Sequence, residues 1–186
     1  KLLNQPTHYV DEMLAGLLLA NPSLKLDGGS QRVIRRANGV RSGKVGIASG
    51  GGSGHLPLFT GYVGDGLLDT CSIGNVFEGP NFESCEDAIR LAHGGSGVLC
   101  LYGNYGGDRM NFEMAIEDLT SDTFKCNSVR VADDVASAPV ARAPVARPPL
   151  QRQAHQQRAH DRQRKHGQGV DHQGDAVPQP PREPAQ

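Results

Sequence analysis

The chain has no Trp, only 5% aromatic residues and three Met among 186 residues, so aliphatic side chains must fill most of any core. Its formal net charge is −1, which provides no global field for holding nucleic acid or an anionic membrane. The four cysteines, Cys71, Cys85, Cys100 and Cys126, are spaced by 14, 15 and 26 positions. Those gaps fit neither a zinc site nor a CxxC redox pair, and they read as reduced thiols of a cytoplasmic protein. No stretch approaches the roughly 20 apolar residues of a membrane span. The apolar run Met13 to Ala20 follows Asp11 and Glu12 and precedes Pro22, so it reads as a core helix rather than a secretory signal. The phosphate loop GxxxxGK[ST] is absent, and the dinucleotide fingerprint fails because Gly50-x-Gly52-x-x is followed by His55. A nucleotide site on this chain is therefore not indicated.

What is present is glycine and proline, 24 and 12 residues, in a length that suits one domain. The composition breaks near Val140. Residues 140–186 carry eight basic and four acidic side chains, nine Gln, seven Pro and four His, with Leu150 as the single large aliphatic residue besides Val. Such a segment cannot bury enough apolar surface to offset the entropy of ordering, which predicts a disordered low-complexity tail over 139–186. The first 139 residues, with eleven basic and sixteen acidic groups, hold the foldable part.

Along that part, Thr7 is a candidate N-cap for a helix from about His8 to Ala20, with Val10, Met13, Leu14, Leu17 and Leu18 on one stripe. A polar loop comes next. Short strands are predicted at 32–36, 44–48, 70–73, 98–102 and 128–131, and helices from Asn81 or Ser84 to His93 and from about Met110 to Leu119. Alternating strands and helices predict an α/β layered domain with a largely parallel sheet and flanking helices.

Two loops carry candidate chemistry. The strand 44–48 runs into Ser49-Gly50-Gly51-Gly52-Ser53-Gly54-His55, and the strand 98–102 runs into Gly103-Asn104-Tyr105-Gly106-Gly107-Asp108. In an α/β sheet the carboxyl ends of neighbouring strands converge on one crevice. Glycines there let backbone N–H groups approach a polar ligand, and a histidine such as His55, whose unperturbed pKa lies near neutrality, is a candidate to take a proton from a hydroxyl. The ordinary readings stand beside these: a tight connection for the glycine loop, a polar loop residue for His55, and a helix N-cap for Asp108. Asp133-Asp134 reads as a solvated helix start and the tail histidines as unsupported, so no metal site is expected.

Together the two loops become specific. GGGSGHLP at 50–57 and GNYGGDRMNFEMA at 103–115 resemble the patterns GGGSGHEP and NYTGDxMNF of the substrate-binding subunit or domain of the dihydroxyacetone kinase family. GDGLLDTCSIGNVFEGP and VADDVA extend the likeness over residues 1–138, as the amino-terminal part of a ketose-binding domain. The resemblance implies phosphorylation of a short ketose, dihydroxyacetone or a relative, at a terminal hydroxyl. It implies that Gly52, Ser53, Gly54, His55, Gly103 and Asp108 line the substrate, with His55 as general base and Asp108 assisting. The resemblance also implies that ATP and magnesium, or a phosphoprotein relay using ADP, sit on a separate helical nucleotide-binding domain or subunit. No cofactor is then held by this chain, and the intact protein forms a homodimer.

Three departures qualify the likeness. Leu56 replaces a Glu and Gly103 a Lys of the family pattern, which points to a four-carbon ketose such as erythrulose. The family's hemiaminal histidine falls beyond residue 186 in family order, which predicts a truncated chain inactive by itself. The tail is rich in Arg, Pro, His and Gln, whose codons share a first C, and is expected to arise from a frameshift near codon 139 or to be an authentic disordered tail. The rival functions are a ketose-binding sensor without catalysis and a non-functional fragment.

Overall fold

The computed structural model describes residues 3–121 and 123–132. Within them six strands form one mixed sheet, β1 (Leu24–Asp27), β2 (Val33–Arg36), β3 (Gly46–Gly52), β4 (Thr70–Gly74), β5 (Val98–Gly103) and β6 (Cys126–Val131), in the order β1-β2-β4-β3-β5-β6. Three helices, α1 (Tyr9–Ala20), α2 (Phe82–Ala92) and α3 (Gly106–Leu119), flank it. β3 is parallel to β4 and β5, and β5 to β6, whereas β2 is antiparallel to both β1 and β4. The predicted α/β fold with a largely parallel sheet is thus observed, with an antiparallel hairpin added at one edge.

Side chains alternate across the pleat, and both faces are covered, as parallel strands require. On one face Ala48 of β3 and Val98, Cys100 and Tyr102 of β5 pack with Cys85, Ile89 and Ala92 of α2 and Phe112 and Ala115 of α3. On the other, Ile34, Cys71 and Ile73 pack with Val10 and Leu14 of α1, joined by Ile47, Phe59 and Leu101. Helix α2 buries Cys85, Ala88, Ile89 and Ala92, the i, i+3, i+4, i+7 stripe of a helix that covers a sheet. Each fully buried Ile or Leu contributes about 1.5–3 kcal/mol.

The structure corrects several of the predicted element ends. Helix α1 is preceded by a single 3₁₀ turn, Pro6–His8, so His8 rather than Thr7 occupies the cap. β1 falls in the stretch predicted as a polar loop; Lys25 and Asp27 place charge on an edge strand, which masks the alternation. β3 runs on through Gly50, Gly51 and Gly52, so these glycines are strand, and the strand leads into a 3₁₀ turn, Ser53–His55, rather than an α-helix. Helix α3 begins at Gly106, a turn before Met110. Asn81 caps α2 as predicted, accepting a hydrogen bond from the Ser84 N–H at 2.9 Å. No helix among the described residues is long and apolar enough to cross a membrane. Asp133-Asp134 and the predicted tail lie outside the described residues.

Candidate active site

The strand order places β3 between β4 and β5, so the carboxyl ends of three adjacent parallel strands meet at one edge of the sheet. A cleft of about 590 Å³ opens there. Its walls include Gly52 and His55 after β3, Val76, Phe77, Glu78, Gly79 and Asn81 after β4, and Tyr105, Gly107, Asp108 and Asn111 from the start of α3. The two loops singled out in the sequence therefore do converge, and His55 and Asp108 face one space.

The segment between β4 and α2 is pinned to both neighbours. The Ser53 N–H donates to the Asn75 carbonyl at 2.9 Å and the Gly54 N–H to the Val76 carbonyl at 3.1 Å. On the other side the Asn111 Nδ2 donates to the Pro80 carbonyl at 2.9 Å. These bonds commit the N–H groups of Ser53 and Gly54 to backbone carbonyls, while the Ser53 Oγ is buried with no hydrogen-bond partner. Neither residue is among those lining the cleft, whereas Gly52 and His55 are. A side chain on Gly54 would overlap the Val76 carbonyl, so glycine is needed there for close backbone approach.

His55 is exposed at the mouth, with its ring edge-on to Phe59 at 6.1 Å between centroids. Asp108 is the third residue of α3 and only 8% exposed. It is not the N-cap, a position held by Tyr105, and its Oδ1 is buried with no hydrogen-bond partner. Burial pushes the Asp108 carboxyl up to about 6, while the charge of His55 works in the opposite direction. A carboxyl poised there is able both to accept and to donate a proton near neutral pH.

Gly103 ends β5 just behind the cleft; a Cβ on it would lie 2.9 Å from the Tyr105 ring and 3.8 Å from the Asp108 Oδ2. Leu56, by contrast, is partly buried against the core that α1 covers and is not among the residues lining the cleft. Sequence reasoning missed Glu78, Gly79, Asn81, Tyr105 and Asn111 as walls. The signal available was positional: GNVFEGP comes directly after a strand that neighbours β3. Among the described residues no group of three or more His, Cys, Asp or Glu side chains is placed to hold a metal ion.

A strand-turn cleft of this kind at the carboxyl edge of a mostly parallel sheet is the usual place for a ligand site in an α/β domain. The chain belongs to the Dak1 domain family, whose model matches residues 15–147. It is 43% identical over 140 residues to a D-erythrulose kinase of Mycolicibacterium smegmatis, covering 74% of this chain and 23% of that one. It is 42% identical over 136 residues to the dihydroxyacetone-binding subunit DhaK of a PTS-dependent dihydroxyacetone kinase of Listeria innocua, covering 73% and 41%. The dihydroxyacetone kinase of C. freundii, solved in complex with AMP-PNP and Mg2+, superposes with a TM-score of 0.68 at 32% identity, covering 73% of this chain and 26% of that one. The chain thus spans between about a quarter and two fifths of the length of these relatives.

Proposed function

We propose that this chain is the ketose-binding part of a kinase that phosphorylates a terminal hydroxyl of a short ketose, with a four-carbon ketulose such as erythrulose preferred over dihydroxyacetone. The observation that carries the reading is the convergence on one cleft of His55 and the buried carboxyl of Asp108, whose Oδ1 has no hydrogen-bond partner. In the proposed reaction His55 accepts the proton of the terminal hydroxyl as its oxygen bonds to the transferring phosphorus. The bond from that phosphorus to the donor's bridging oxygen breaks, and the donor leaves as the diphosphate. Asp108 holds the reacting hydroxyl and the neighbouring oxygen in line, so that most of the acceleration comes from positioning. The uncharged Gly103 and the likeness to a D-erythrulose kinase support the four-carbon preference.

The nucleotide donor, and any phosphoprotein relay that recharges it, is assigned to a separate helical component; the C. freundii kinase solved with AMP-PNP and Mg2+, of which this chain covers 26%, supports that reading.

The test is calorimetric titration of the full chain with dihydroxyacetone, D-erythrulose and L-erythrulose, repeated on His55→Asn and Asp108→Asn. The expected result is binding by the parent, tightest for an erythrulose, weakened at least about tenfold by either substitution. Phosphorylated ketose is expected only once a nucleotide-bearing helical component is added. Absence of binding to all three ketoses refutes the reading, and binding without phosphorylation in the complete mixture would favour a sensor.

A further inference from the structure

Asp108 projects toward two glycines, one at the end of β5 and the other in the connection between β4 and α2. On one side lies Gly103, where a Cβ would sit 3.8 Å from the Asp108 Oδ2. On the other lies Gly79, where a Cβ would overlap the Asp108 Oδ1 and come within 3.2 Å of its Cγ and of its backbone nitrogen. Gly79 is not among the glycines with positive φ, so its backbone conformation is open to any residue; only space forbids a side chain.

Nor can the surrounding chain give way to relieve the overlap. Pro80 is fully buried, and its carbonyl is held by Asn111, one turn along α3 from Asp108. Upstream, Asn75 and Val76 are held by the Ser53 and Gly54 N–H groups, and Asn81 is fixed as the cap of α2. A methyl group at position 79 would therefore displace the one movable neighbour, the carboxyl of Asp108, outward into the open cleft.

We infer that Gly79 is a positioning residue, which by carrying no side chain opens the slot that holds the carboxyl of Asp108 at the wall of the cleft. The significance of this for ketose binding rests on the function proposed above; the geometric claim does not.

Two readouts on the full chain separate the claims. The first is titration of the Asp108 carboxyl by carbon NMR, assigned by its loss in Asp108→Asn. The parent is expected to titrate near 6, and Gly79→Ala near the ordinary carboxylate value of 3.8, because the displaced group gains water. An unmoved midpoint in a folded Gly79→Ala chain overturns the inference. The second is ketose affinity in a double-mutant cycle. Gly79→Ala is expected to weaken erythrulose binding about tenfold in the parent and to have no further effect in an Asp108→Ala background; equal losses in both backgrounds overturn the inference. If Gly79→Ala fails to fold, the pair Gly79→Ala with Asp108→Ala decides, because it removes the overlapping Oδ1 and Cγ. Recovery of the fold supports the slot, and continued failure overturns it. A parent that titrates as expected but binds no ketose refutes the proposed function and leaves the positioning role standing.

Discussion

Tyr102 of β5 stacks flat on Phe112 of α3, with ring centroids 4.7 Å apart and planes inclined by 3°. Both side chains are almost wholly buried, and Phe112 lies one helical turn beyond Asp108. The stack therefore fixes the first turns of α3 against the strand that leads into the site. Truncation of a buried aromatic costs about 3–5 kcal/mol, and the cavity lies one turn from Asp108. Phe112→Ala is expected to lower the urea midpoint by that order and to weaken ketose binding in the folded fraction as well. Phe112→Leu should recover most of the stability and little of the affinity, because it fills volume without restoring the flat contact. Equal recovery of both would show that the ring only fills space.

The opposite end of the sheet has its own polar centre. Asp69, whose side chain is 1% exposed, bridges Lys44 at 2.9 Å and Arg36 at 3.0 Å, and its Oδ2 accepts the Ile47 N–H at 2.9 Å. These partners tie β2, β3 and β4 together away from the cleft. Removing one member of such a buried cluster leaves desolvated charge behind, at a cost of about 3–5 kcal/mol. Asp69→Ala is thus expected to cut stability sharply while ketose affinity per folded molecule, measured at low temperature, stays within about twofold of the parent. A selective loss of affinity with stability intact would place Asp69 in the site and contradict its purely structural role here.

The contrast between the two ends bears on what the sequence revealed. His55 and Asp108 were readable because each closes a glycine-rich segment after an apolar strand, and the rule that adjacent strand ends converge then brings them together. Gly79 was not readable, because its partner is an atom of Asp108, remote in sequence and supplied by another strand's connection. The start of α3 was set too late because Gly106 and Gly107 are poor helix formers; their place at the first turn comes from tertiary packing, which overrides propensity. The same holds for β3, where Gly50 to Gly52 look like a loop and yet pair with β4 on one side, because strands on both flanks supply the order that side chains do not. β1 was hidden by Lys25 and Asp27, whose charges suit an edge. Leu56, a departure from the family pattern beside His55, packs its side chain against the core.

Asp108 also links function to stability. Its carboxyl is raised from 3.8 to about 6 by burial, so the folded chain holds a proton there that the unfolded chain has released. Between those two values the folded state binds more protons than the unfolded one, and stability contributed by this group falls as pH rises. Above about 6 the buried charge is a standing cost, set by loss of hydration and only partly offset by His55. Asp108→Asn removes that charge while keeping the shape. The variant is therefore expected to be more stable than the parent above about pH 6, with the advantage shrinking to nothing as pH falls toward 3.8. The measurement is a set of thermal or urea transitions of both proteins across that range, and curves that run parallel at every pH would show that Asp108 does not titrate differently in the folded chain. A stability gain paired with lost ketose binding would mark Asp108 as a residue retained for its chemistry against the interest of the fold, as expected where a desolvated acid is kept for proton transfer.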